Sequence, residues 1–253
     1  MSYRRLIARL DIKGEYVIKG IQMEGLRIVG EPNALATRYY ESGADELLYL
    51  DTVATLYGRK NLVDIVRATA ENIFIPLTVG GGVGTYDDAK LLLRSGADKV
   101  AINSAAVSNP LLLTKIAETF GSQCVVLSVE CKRIANDWEV YVNNGRDPTG
   151  LSVGSWVETA SRFGVGEVLI TSVDRDGTRR GFDLELMALA RSSTDLPLSG
   201  SGGIGNIDDI KQGFCAAHLD GIAIAAAFHS NSLSLGSVRQ ELHELEIDVR
   251  QIS

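Results

Sequence analysis

At 253 residues, 45% hydrophobic and 23% charged, the chain has material for a large packed core, which excludes a disordered polymer. A net charge of −7 argues against nucleic acid as the main partner, and no apolar run reaches the roughly 18–20 residues of a membrane span. The amino terminus, MSYRRLIARLDIKG, lacks the apolar stretch of a secretory signal, so a cytoplasmic protein is expected.

In chain order, short β-branched runs alternate with segments of helical period. The strands read LIARLDI, ELLYLD, IFIPLTV and DKVAINS, then CVVLSVE, EVLITSV, LPLSGS and GIAIAAA. Helical patterns such as NLVDIVRATAENI, TYDDAKLLLRSGA, PLLLTKIAETFG and VGSWVETASRFG lie between them. Residues 13–30, after the first strand, exceed the usual βα connection and suit a lid. Cys124, Cys131 and Cys215 are far apart in apolar or helical context, which reads as reduced core thiols. No spacing resembles a metal site, and no cofactor is expected.

The chain also repeats itself. Residues 75–90 (IPLTVGGGVGTYDDAK) and 196–211 (LPLSGSGGIGNIDDIK) match at a displacement of 121, and a similar displacement carries Asp11 onto Glu130. Four strands per half, with halves of about 1–120 and 121–253, predict one α/β domain, a (β/α)8 TIM barrel built from two half-barrel repeats. An open doubly wound sheet is the alternative. The barrel is preferred because two equal halves close on each other, whereas an open sheet leaves two unlike edges.

In such a barrel the active site lies at the carboxyl ends of the strands, and the loops after strands seven and eight commonly hold phosphate. Gly202 and Gly203 follow strand seven, and Ala225, Ala226 and Ala227 follow strand eight, so backbone N–H groups can approach an anion. By the repeat, Gly81 and Gly82, with Asn103 and Ser104, form a second clamp across the mouth. A ligand with a phosphate at each end satisfies both. Asp11 and Glu130 close strands one and five and face each other as candidate general acid and base. Asp51 ends strand two, Lys19 lies in the lid, and Asp176, Gly177 and Thr178 lie just past strand six, with Asp176 and Thr178 placed for substrate hydroxyls. At the opposite face, Arg5, Glu46, Lys99 and Glu167 stand at the starts of strands one, two, four and six, and their alternating charges predict a ring closing the barrel bottom.

With RLIARLDI, VIKG, GADELLYLD, IPLTVGGGV, GADKVAIN, TGLSVGSWV, GEVLITSVDRDGT and SGSGGIGN, the chain resembles, nearly end to end, the cyclase subunit family of imidazole glycerol phosphate synthase, the HisF family. The resemblance implies an enzyme of histidine biosynthesis that receives ammonia from a HisH-like glutaminase docked on the amino-terminal barrel face. Arg5, Glu46, Lys99 and Glu167 match the family's ammonia gate, and Asp98 and Gln123 match positions near the docking surface. Asp11 falls on a catalytic carboxylate and Lys19 on the lid lysine. The substrate so implied is a ribotide with two phosphates, cleaved and cyclised to imidazole glycerol phosphate and aminoimidazole-carboxamide ribotide.

Three positions depart from the family. Glu130 replaces an Asp, which advances the second carboxylate by roughly 1.5 Å. Ile28 replaces a lid Asp. Arg9 stands where a small residue is usual, and strand alternation turns it inward with Asp11, where it needs Glu130 or another acid as partner. These departures sustain a second reading, a paralogue that partners a glutaminase and passes ammonia to an enzyme amidinating a nucleotide or a surface-polysaccharide sugar.

Overall fold

The computed structural model describes residues 3–52 and 56–251, with all their side chains except those of 56–60. Its strands are β1 (Arg5–Lys13), β2 (Tyr16–Ile21), β3 (Glu24–Gly30), β4 (Glu46–Asp51), β5 (Leu77–Gly80), β6 (Lys99–Ile102), β7 (Val125–Ile134), β8 (Asp137–Val142), β9 (Asp147–Ser152), β10 (Glu167–Ser172), β11 (Leu198–Ser201) and β12 (Gly221–Ile224). Eight of them pair in parallel in the order β1-β4-β5-β6-β7-β10-β11-β12, and β12 pairs back onto β1. That closure decides for the barrel and against the open sheet.

The helices α1 (Pro32–Glu41), α2 (Leu56–Asn72), α3 (Tyr86–Arg94), α4 (Ser104–Ser108), α5 (Leu111–Phe120), α6 (Val153–Ser161), α7 (Leu184–Ser192), α8 (Ile207–Cys215), α9 (Ala226–His229) and α10 (Leu235–Glu244) connect the strands. Because side chains alternate along a strand, β1 serves two cores at once. Leu6, Ala8, Leu10 and Ile12 pack outward in the main core shared by strands and helices. Ile7 points into the lumen, where it meets Leu48, Ala101, Val126, Leu169 and Ala223 in a separate apolar belt. Polar layers lie on either side of that belt, Arg5, Glu46, Lys99 and Glu167 beneath it and Arg9, Ser128, Thr171 and Ser201 above it.

Strand registers repeat between the halves. Ile7, Arg9 and Asp11 of β1 pair with Glu46, Leu48 and Leu50, and Val126, Ser128 and Glu130 of β7 pair with Glu167, Leu169 and Thr171. The repeat extends to the long connections that follow the first and fifth barrel strands. Residues 13–30 are no loop: β2 and β3 fold back antiparallel on an extended β1, and β8 and β9 do the same on β7. The β2–β3 turn holds Gln22 and Met23 at φ 53° and 62°, left-handed conformations with no glycine to accommodate them.

The cysteines differ from one another. Cys131 is buried and Cys124 half-buried, but Cys215 is exposed at the end of α8, so it is not the core thiol expected of it. Among the described residues no helix is long and apolar enough to cross a membrane.

Candidate active site

The two glycine pairs sit at the carboxyl ends of β5 and β11. Gly81 and Gly82 have φ of 85° and 66°, and Gly202 and Gly203 have φ of 103° and 95°. Space as well as φ demands glycine here: a Cβ on Gly81 would strike the Asp51 backbone, and one on Gly202 would lie 2.6 Å from the Ser172 carbonyl. Each pair runs into a helix capped in the same way. Thr85 and Asp88 form a capping box at α3, Asn206 and Asp209 one at α8, and the carboxylate of each box accepts the N–H of Gly84 or Gly205 as well. Next door, Asn103 (φ −116°, ψ −86°) and Ala225 (φ −118°, ψ −74°) bend the chain identically into α4 and α9. The half-repeat is therefore preserved down to backbone angles.

Asp51, Gly81, Gly82, Asn103 and Ser104 line a cavity of about 630 Å³ that reaches Glu130. The other clamp, with Gly177, Gly202, Gly203, Ala225 and Ala226, is nearly closed at about 10 Å³, because Lys19 and Asp176 fill its inner side. Between them lies a third space of about 40 Å³, bounded by Arg9, Asp11, Lys19, Glu130 and Asp176.

The β2 strand brings Lys19 over the barrel mouth, where its ammonium donates to Asp11 Oδ2 at 2.7 Å and to Asp176 Oδ2 at 2.8 Å. The lid is latched further by Gln22, whose backbone N–H donates to the Asp176 carbonyl and whose side-chain amide donates to that of Asp174. From below, Arg9 Nε donates to Asp11 Oδ1 at 2.8 Å, and its Nη1 donates to the Ser201 hydroxyl at 3.1 Å and approaches Asp176 at 4.0 Å. Arg9 is thus buried against Asp11, not against Glu130.

The two carboxylates are pushed in opposite directions. Burial alone raises an acid, but the cations Arg9 and Lys19 outweigh it at Asp11 and hold that carboxyl well below the usual range. At Glu130 burial prevails over Arg9 and the Gly145 N–H, and its pKa is pushed up to about 7, near the value a group needs to accept and return a proton at neutral pH. Among the described residues the Glu130 carboxylate accepts one hydrogen bond, from Gly145 N at 2.8 Å.

At the opposite end the four charges alternate as a closed ring. Arg5 donates to Glu46 at 2.7 Å and to Glu167 at 2.6 Å, and Lys99 lies 2.9 and 2.8 Å from the same two acids. Thr78 and Ser199 hydroxyls complete the acids' coordination. Asp98 and Gln123 lie exposed around this ring, each in a connection entering a strand, and so does Phe74 at 79% exposure.

Sequence reasoning missed the β8–β9 connection, which brings Asn144 and Arg146 to both the large and the central cavity and supplies the Gly145 donor. The signal was present: the hairpin follows strand five as the lid follows strand one, and Asn143-Asn144-Gly145 is a strong turn sequence.

Fold and site define a class of protein, a half-repeat parallel barrel with twin glycine clamps flanking an acid pair. The chain belongs to the family of histidine biosynthesis proteins, whose pattern matches residues 5–234. It is 59% identical over 212 residues to the imidazole glycerol phosphate synthase subunit HisF of Legionella pneumophila, covering 83% of this chain and all of that protein. It is 47% identical to the HisF subunit of Myxococcus xanthus over the whole of both chains, and 44% identical to that of Bacillus cereus strain Q1 over 99% of this chain.

Proposed function

We propose that this protein is the ammonia-dependent cyclase subunit of imidazole glycerol phosphate synthase, acting in the cytoplasm on a ribotide with two phosphates. The observation that carries this reading is the placement of Asp11 and Glu130 on one cavity midway between two symmetry-matched clamps. A substrate anchored at both ends has its reacting centre held between the carboxylates, and Lys19, Asp51 and Asp176 face it from the mouth. Its partner is a HisH-like glutaminase seated on the amino-terminal face, where Phe74 supplies an apolar anchor beside Asp98 and Gln123 and the charged ring guards the lumen. Ammonia released there passes the ring and the apolar belt and adds to the substrate, and cleavage with ring closure yields imidazole glycerol phosphate and aminoimidazole-carboxamide ribotide.

The test is turnover of the ribotide by the purified protein with excess ammonium, followed by release of the carboxamide product, beside a Glu130→Asp variant. Turnover by the unmodified protein is expected. Activity confined to Glu130→Asp would instead favour the paralogue that hands ammonia to an amidinating enzyme.

The clamps have their own test. Gly81→Val and Gly202→Val each force a β-branched residue into a left-handed conformation against backbone. Each is expected to weaken binding of inorganic phosphate about tenfold or more, equivalent to about 1.4 kcal/mol, in a ³¹P NMR titration. Unchanged binding in both would remove the clamps from the site.

A further inference from the structure

We propose that Arg9 is a positioning residue that divides the work of the two carboxylates, fixing Asp11 as a standing anion and leaving proton transfer to Glu130. The proposal rests on the cyclase reading above for the reaction it serves, and on geometry for the division itself.

Asp11 and Glu130 are counterparts in the half-repeat, so their surroundings should match, and along the strands they nearly do. The residues two and four positions earlier are Arg9 and Ile7 on β1, Ser128 and Val126 on β7, with corresponding registers to the next strand. The apolar pair is conservative, whereas Arg9 against Ser128 replaces a hydroxyl by a buried guanidinium. The antiparallel neighbours break the symmetry in the same sense. Asp11 pairs with Ile18, whose successor is Lys19; Glu130 pairs with Tyr141, whose successor is the uncharged Val142. Two sequence differences therefore put two cations on one carboxylate and, among the described residues, none in hydrogen-bond contact with the other.

The consequence for Asp11 is stereochemical as well as electrostatic. Its Oδ1 accepts from Arg9 and its Oδ2 from Lys19, at 2.8 and 2.7 Å, so a proton arriving on either oxygen competes with a cationic donor already in place. Arg9 is itself locked by Thr171 on β10 and Ser201 on β11, which leaves it little freedom to swing away. Glu130 has one oxygen on Gly145 N and its other facing the cavity. The charged groups bearing on Glu130 are Arg9 and Asp11 from β1, Lys19 from β2, Asp176 after β10 and Arg146 from the β8–β9 turn. Asp11 faces Arg9 and Lys19, with Asp176 beyond them and His229 behind.

In the step so served, the ammonia lone pair forms the bond to the substrate carbonyl carbon while the carbonyl π pair moves onto oxygen. The free Glu130 oxygen takes one proton from the nitrogen and gives it to that carbonyl oxygen, ending as the carboxylate it began. Asp11, with its charge unchanged, holds Lys19 and Arg9 in register beside the reacting centre.

The experiment is a ¹³C carboxyl NMR titration of Asp- and Glu-labelled protein, with Asp11→Asn and Glu130→Gln assigning the signals, in the unmodified chain and in Arg9→Met and Arg9→Lys. It reads both groups whether or not the protein turns over. Expected in the unmodified chain are a Glu130 signal that titrates near neutrality and an Asp11 signal that stays ionised throughout the range where the protein is folded. In Arg9→Met the Asp11 midpoint should climb by about one to three pH units, the kcat/KM profile with ammonium should gain a second ionisation, and kcat should fall more than KM changes. Arg9→Lys should restore the single ionisation. Asp11 titrating near neutrality in the unmodified chain would overturn the proposal even if Arg9→Met does not fold, and so would an Arg9→Met protein with Asp11 unmoved. The expected titrations in a protein that does not turn the ribotide over would support the positioning role and remove the cyclase reading.

Discussion

Glu130→Gln is expected to lower ammonium-dependent turnover by about 10²–10⁴-fold while leaving phosphate binding in place, the range over which a single positioned acid–base group contributes. Gln keeps the length of Glu130, and its amide oxygen can still accept the Gly145 N–H that now lies 2.8 Å from Oε2. What it loses is the proton. Glu130→Asp is the complementary change: it keeps the proton but withdraws the carboxylate by roughly 1.5 Å, far enough to break the Gly145 contact. The pH profile separates them, because the unmodified protein should show an ionisation near 7, where burial has pushed Glu130, and the Gln variant should show none there. Stability adds a signed check. An acid whose pKa is higher folded than unfolded makes the native state bind the extra proton, so stability falls as pH rises from about 4.5 through 7. That fall should be absent from thermal melts of Glu130→Gln. A Gln variant with full kcat would end the role assigned to this residue.

Breaking the charged ring should have the largest effect on stability. Glu167→Gln leaves Arg5 and Lys99 sharing Glu46, and breaking a buried pair in this way costs about 3–5 kcal/mol. For a barrel of this size that is a fall in Tm of roughly 6–20 °C. The sign with pH is opposite to that of Glu130. Burial raises Glu167, but Arg5 and Lys99 prevail and bring it down to about 2. Its contribution is therefore complete above about 4.5 and is lost as pH falls through 2. Urea unfolding at pH 7 and at pH 3 should show the gap between the two proteins narrowing at the lower pH. A constant gap would mean that the ring acts through packing rather than charge.

How much of this was legible in the sequence depended on whether a feature was local. The barrel strands were, because β-branched runs with small-residue ends read as buried parallel strands and the duplicated glycine segment tied the halves together. The glycine pairs were legible for the same reason, since only glycine meets both the φ and the crowding at Gly81 and Gly202. The lid hairpin was not. Its turn is built on Gln22 and Met23, which carry no turn signal, and β3 is exposed along most of its length, so no alternation marks it as a strand. Arg9 could be turned inward from the alternation of β1, but its choice of acid was not decided there: Asp11 lies two residues away on the same strand, within reach of a long side chain that a Glu130 across the lumen does not attract as closely. Arg146 and Asn144 needed the second hairpin to be seen before they could be placed at all.

Under the proposed function, the apolar belt between the ring and Arg9 would act as a filter for protonation state. Ammonium has four N–H donors and a full charge, and Ile7, Leu48, Ala101, Val126, Leu169 and Ala223 offer side chains without a single acceptor. Stripping water from the ion there costs far more than stripping it from neutral ammonia. The ring beneath the belt carries two positive and two negative groups, so it presents no net charge to draw a cation in. On that reading, nitrogen arriving through the barrel would have shed its fourth proton at the lower face. Nitrogen arriving from solvent through the mouth would meet no such selection, so supply from below and supply from above would be chemically distinct routes to one site.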